Sequence, residues 1–191
     1  MEVLLFQSGY LTIEEMRITP YETIEFKLCI PNKEVKMSLF MQIIVELYEN
    51  DKPKPIRDKI FQAIVEEKPE LLKQAIESIF SSIPYNYYTK NNIYEYEGFY
   101  ASVVFSYLQS LGFDIIGEDV TNLGRIDITI RHKQAIYVIE FKVGKEDAME
   151  YLKKQNYHQK YMIEDKPIYL IGINFNKESK NVEKYQWEKV K

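Results

Sequence analysis

The sequence predicts a mixed α/β fold, on three observations. Apolar residues recur at three- and four-residue spacing in several segments, while other segments alternate β-branched and aromatic residues with polar ones. In the second half these segments run in the order α, β, β, β, α, β, β, which fits a sheet flanked by helices better than a bundle. Of the 191 residues 46% are hydrophobic and 28% charged, enough apolar material for a core and for one domain or two small ones.

Taken in order, VLLFQSGYL reads as the last turns of a helix, and TIEEMRIT and ETIEFKLCI as two short strands separated by Pro20. The chain turns at Pro31-Asn32 and continues as a helix with Val35, Leu39, Ile43 and Leu47 on one stripe. Lys52 to Pro55 is a polar, proline-bearing break, and residues 56–67 and 70–83 read as amphipathic helices, the second starting just after Pro69. The stretch PYNYYTKNNIYEYEG marks a boundary. The expected organisation is a mostly helical region over 1–84, a Tyr-rich linker over 85–96 and an α/β domain over 97–191.

That domain opens with a helix, Glu97 to Leu111, whose apolar side carries Val104, Phe105, Leu108 and Leu111 and which Gly112 ends. A strand over 113–117 and a hairpin, GRIDITIRHKQAIYVIEFK over 124–142, follow. Residues 146–163 read as a helix, PIYLIGINF as a buried strand and VEKYQWEKV as a last strand.

Composition excludes several functions. No apolar run approaches the roughly 20 residues of a membrane span, and MEVLLFQSGYL lacks the basic flank of a signal peptide, so a cytoplasmic protein is expected. The single Cys29 excludes an internal disulfide, and with only His132 and His158 the chain is ill suited to a zinc cluster. The net charge of −4 falls on the first 96 residues, with 11 basic and 15 acidic side chains against 14 of each in the rest. Contact with phosphates must therefore use a local patch, because overall charge supplies no steering.

The hairpin is where composition and pattern conflict. Glu140 and Lys142 share a face of the second strand with Ile136 and Val138, while Tyr137, Ile139, Phe141 and Val143 cover the other. Both faces are apolar, so the strand is expected at the centre of the sheet. A two-residue turn at Lys133-Gln134 pairs residues whose numbers sum to 267, placing Asp127 opposite Glu140 with Cβ atoms ~5 Å apart. Two buried carboxylates at that distance cost several kcal/mol each unless something positive lies between them. A hard divalent ion such as Mg²⁺, which often takes only one or two protein carboxylates, would serve. Lys142, one pleat on, could then polarise water or stabilise charge on a phosphate. Gly124 allows close backbone approach, and Arg125 could brace Glu118 or reach a phosphate.

At this spacing GRID…EFK resembles the core motif of the PD-(D/E)XK nucleases, with Ile126 in place of the motif's proline. FQSGYLTI, IPNKEV, EGFYASVVF, GRID, IEFK and IYLIGINF, in that order, are together similar to the C-terminal part of bacterial AAA-ATPase-like proteins that end in such a domain. The resemblance implies a restriction-endonuclease-like fold, a mixed sheet flanked by helices, and Mg²⁺- or Mn²⁺-dependent hydrolysis of nucleic acid, DNA first. It implies Asp127 and Glu140 as metal ligands, Lys142 as the catalytic lysine and Glu97 as a further acidic site residue. The family places a glutamine on the next helix, where this chain has Tyr151. It also implies an ATPase module or partner. No G-x-x-x-x-G-K-[ST] occurs here, so residues 1–84 would be a connecting region, of which a winged-helix-like start is one form.

Plainer readings stand beside these. Asp127, Glu140 and Lys142 could be a structural Glu–Lys pair with an Asp at a strand start, and Glu97 a charge favoured by a helix N-terminus. Lys145, Lys153, Lys154 and Lys160 read better as a solvated helix face than as a phosphate path. Tyr85, Tyr87, Tyr88, Tyr94 and Tyr96 read better as packing than as a stacking platform for bases. His132 and His158 read as surface residues. The alternative to an enzyme is a catalytically silent nucleic-acid-binding or interaction module working with an ATPase partner.

Overall fold

The structure is a computed structural model describing residues 1–47, 54–89 and 92–191. Lys52 and Pro53 of the expected break, and Lys90 and Asn91 of the linker, lie outside the described residues. A short helix α1 (Glu2–Gln7) precedes a two-stranded hairpin, β1 (Thr12–Ile18) and β2 (Ile24–Cys29). Helices α2 (Lys33–Glu46), α3 (Lys54–Val65) and α4 (Pro69–Ser82) follow. After two 3₁₀ turns come α5 (Glu97–Ser110), β3 (Ile115–Val120), β4 (Arg125–Arg131), β5 (Ile136–Val143), α6 (Ala148–Gln155), β6 (Ile168–Asn176) and β7 (Asn181–Lys189). The last five strands form one mixed sheet in the order β3-β4-β5-β6-β7, with only β5 and β6 parallel. The α/β architecture with a central β5 is thus as the pattern predicts, and it is consistent with a restriction-endonuclease-like fold.

Alternation along β5 divides the core. Tyr137, Ile139 and Phe141 join the larger cluster with α3, α4 and α5, while Ile136 and Val138 join a smaller one with Met149 and Leu152 of α6. Gly172 of β6 lets α6 lie directly on the sheet: a Cβ there would fall 2.5 Å from the Met149 nitrogen. On the opposite layer Tyr137 donates to the Ile64 carbonyl and Tyr185 to the Pro69 carbonyl, both at 2.8 Å, fastening α3 and α4 to the sheet. Those bonds satisfy hydroxyls that burial would otherwise penalise.

Several elements differ from expectation. The helix predicted over 146–163 ends at Gln155, because Asn156 adopts the left-handed conformation (φ 50°) and a 3₁₀ turn over Tyr157–Tyr161 follows. The strand predicted over 113–117 begins at Ile115 and runs on to Val120, held by antiparallel pairing with β4. In α2 the buried residue is Ile44, and Ile43 is exposed, because this helix is apolar on several sides and meets α5 through the Phe40–Phe105 ring contact. His132 and His158 are half-buried, His132 with its ring edge-on to Phe113. Among the tyrosines Tyr88 and Tyr94 pack as expected, around Phe99 and the Lys180 ammonium, while Tyr85 and Tyr96 are exposed.

The β1–β2 hairpin is apolar on one face. Ile13 pairs with Leu28, Met16 with Phe26 and Ile18 with Ile24, and a register irregularity between Ile13 and Glu15 keeps all six in phase. All but Leu28 are exposed.

Candidate active site at the open end of the central hairpin

β4 and β5 pair in the expected register through Ile128↔Ile139, around a turn closed by the His132 N–H to the Ala135 carbonyl at 3.0 Å. The ladder stops one pair short of Asp127. There β4 leaves its neighbour, and Ile126 packs in the smaller core cluster while Ile128 packs in the larger one. Phe141 N–H thereby loses a main-chain acceptor and donates instead to Asp127 Oδ2 at 2.8 Å. The Asp127 carboxylate is thus drawn into the gap between the strands rather than standing squarely across from Glu140.

Glu140 lies one residue beyond the last pair, 2% exposed. Its Oε1 accepts from Lys142 Nζ at 3.0 Å, and its Oε2 is buried with no hydrogen-bond partner. Burial first, and then the Asp127 charge, push the Glu140 carboxyl up to about 7 despite the adjacent ammonium. Burial also raises Asp127, partly offset by the Phe141 N–H. Lys142 is 6% exposed; burial works against its charge, but Glu140 and Glu97 outweigh that and hold it above the usual lysine range.

Glu97 occupies the first turn of α5, where the helix dipole favours an anion. It reaches over the end of the sheet to accept from Lys142 Nζ at 3.1 Å and from the Val143 N–H at 3.4 Å. The structure therefore brings Glu97, Glu140 and Lys142 into direct contact, with Asp127 beside them. Among the described residues no three His, Cys, Asp or Glu side chains converge where one ion could sit. Arg125 pairs with Glu118, the bracing of its two expected uses. A cavity of about 420 Å³ opens beside Asp127, between α5 (Gly98, Ala101, Ser102, Phe105) and the β3–β4 pair.

Of the four lysines considered for a phosphate path, Lys153 is paired with Glu188 and Lys160 with Asp119. Asp119 is a buried acid that the sequence reading missed. Burial pushes it up, but Lys160, Tyr161 and Thr129 donate to it and hold it below the usual carboxylate range. Extending the alternation of β3 past Gly117 would have placed it inside the strand.

An orphaned buried carboxylate oxygen beside a second acid, with a lysine two residues on, is the arrangement to set against known proteins. Residues 95–185 match the family model of the PD-(D/E)XK nuclease superfamily. The matched span contains Glu97, Asp127, Glu140 and Lys142. The chain is also 34% identical over 187 residues to an "Uncharacterized protein in vnfD 5'region" from Azotobacter chroococcum mcd 1, an alignment covering 95% of this chain. It spans only 36% of that relative's length. No solved structure matches. Neither match brings an ATPase module to this chain, so the expected AAA-ATPase kinship stays outside what the superfamily match covers. Among the described residues no helix is long and apolar enough to cross a membrane.

Proposed function

We propose that residues 97–191 form a divalent-cation-dependent phosphodiesterase acting on nucleic acid, DNA foremost, with Asp127 and Glu140 as the protein ligands of Mg²⁺ or Mn²⁺. The observation that carries this reading is Glu140: a buried carboxylate with one oxygen unpartnered, next to a second acid, in a hairpin that matches a nuclease superfamily. Hard oxygen donors of this kind suit Mg²⁺ or Mn²⁺, and the orphaned oxygen offers a ligand without breaking a hydrogen bond. Bound there, a divalent cation supplies water activation and neutralises charge on the phosphate.

The chain's own residues do the rest. Lys142 holds a charged ammonium at the site, placed to stabilise negative charge gathering on a phosphate oxygen. Glu97 steadies that ammonium from the end of α5, so the lysine does not depend on Glu140 alone. The cavity beside Asp127 gives a sugar or base next to the scissile phosphate room to lie against Phe105. In this reading 85–96 links the catalytic unit to a connecting region, residues 1–84, whose α3 and α4 pack in one core with its sheet. The test is Mg²⁺-dependent cleavage of plasmid DNA: wild type should cut and Glu140→Ala should not, and equal cutting by both would remove the proposal.

A second reading has its own support. Both Glu97 and Glu140 already engage Lys142, and the hairpin β1–β2 exposes an apolar face, as an interaction module would. On this reading the chain binds nucleic acid or a partner, such as an ATPase, without turnover. DNA binding by calorimetry with no cleavage at any Mg²⁺ or Mn²⁺ concentration would favour it.

A further inference from the structure

Lys142 has three N–H donors, and the two carboxylates account for two of them. On its remaining side the ammonium stands 4.5 Å from the centroid of the Tyr151 ring. That ring is held by a built arrangement. Tyr151 projects from α6, which Gly172 seats directly on the sheet. Tyr157 backs it with its ring 6.2 Å away at 66° and its hydroxyl 3.5 Å from the Tyr151 hydroxyl. Tyr157 is itself buried, and its hydroxyl sits against Gly124, where an added Cβ would lie 2.5 Å from it.

We propose that Tyr151 is a positioning residue whose ring face holds the Lys142 ammonium at the site, with Tyr157 supporting the ring and Gly124 making room for Tyr157. The negative face of an aromatic ring attracts a cation, and more strongly where water is excluded. Unlike a side-chain carbonyl it imposes no single hydrogen-bond direction. Lys142 can therefore turn from Glu140 toward a substrate oxygen while remaining on the ring. A polar residue at this place would compete for the proton donor it is meant to present. The role belongs to the ring and not to the Tyr151 hydroxyl, which separates this proposal from a simple hydrogen-bonding one. Its kinetic consequence rests on the phosphodiesterase reading; its geometric content does not.

The test uses the full chain as wild type, Tyr151→Phe, Tyr151→Leu and Gly124→Ala, each checked for an intact fold by near-ultraviolet circular dichroism. The first readout is the proton shift of the Lys142 ε-methylene, assigned with Lys142→Arg. The ring current should move it upfield in wild type and Tyr151→Phe, and that displacement should vanish in Tyr151→Leu and shrink in Gly124→Ala. The second is Mg²⁺-dependent plasmid cleavage, where Tyr151→Leu should lose roughly tenfold in kcat with little change in KM. Tyr151→Phe should recover most of that loss. An unshifted ε-methylene in wild type, or Tyr151→Phe behaving like Tyr151→Leu, overturns the proposal. If wild type itself cuts nothing, the phosphodiesterase reading fails, and the shift comparison decides the role of Tyr151 on its own. Should Tyr151→Leu fail to fold, Gly124→Ala carries the same comparison.

Discussion

The antiparallel hairpins β1–β2 and β4–β5 each carry an ion pair, across the two strands in the first and along β5 in the second, and the pairs lie in very different surroundings. In β1–β2, Arg17 reaches Glu25 at 2.6 Å with the two side chains 73% and 50% exposed. In β4–β5, Lys142 reaches Glu140 at 3.0 Å with side chains 8% and 3% exposed. The exposed pair gains little in water and obliges the fold to nothing. The buried group must repay its desolvation, and with Asp127 close by it carries one acid more than Lys142 alone can balance. Glu97 tightens that imbalance further. What the contrast teaches is that distance alone does not set a pair apart; on the proposed reading, excess charge of one sign in a dry place does.

The largest effect expected from this contrast is catalytic. Asp127→Ala and Glu140→Ala should each lower Mg²⁺-dependent cleavage by about a thousandfold or more in a plasmid assay, since each removes half of the proposed cation seat. Next comes stability: Lys142→Met leaves Glu140 buried without its cation and should cost about 3–5 kcal/mol in chemical denaturation. Glu140→Gln keeps the shape and removes the charge, so at pH 8 without divalent ions it should melt no lower than wild type.

A pH effect of intermediate size follows from the same residue. The folded Glu140 carboxyl is raised to about 7, above the ordinary 4.5, so the folded state holds this proton more tightly than the unfolded chain. That contribution to stability is complete below about pH 4.5 and is lost as pH rises through 7. It amounts to something on the order of 3 kcal/mol. Melting of the ion-free protein should record the loss between pH 5 and 8, and Glu140→Gln should abolish that part of it. Added Mn²⁺ should raise Tm more at pH 8 than at pH 5, where it must displace a proton. The smallest effect belongs to the exposed hairpin, where Arg17→Ala should change stability by well under 1 kcal/mol.

Much of this was legible in the sequence because it depends on period and turn length. The alternation over 124–142 and the two-residue turn fixed the register, and apolar residues on both faces of β5 placed it centrally. What could not be read depended on long-range contact or on single backbone angles. Glu97 meets Lys142 across 45 positions of sequence, and only the resemblance linked them. The helical period continues through Asn156, so its left-handed turn, which delivers Tyr157 to the site, left no trace in the pattern. The in-plane turn of Asp127 goes with β4 leaving β5 after Ile128, a departure that the alternating pattern does not reveal.

The most direct test of the central claim is anomalous diffraction from a crystal of this protein grown with Mn²⁺. The account predicts a peak bonded to oxygens of both Asp127 and Glu140, with Lys142 beside it and free of the ion. A peak elsewhere, or none at these carboxylates while the ion saturates other acidic groups, would contradict it.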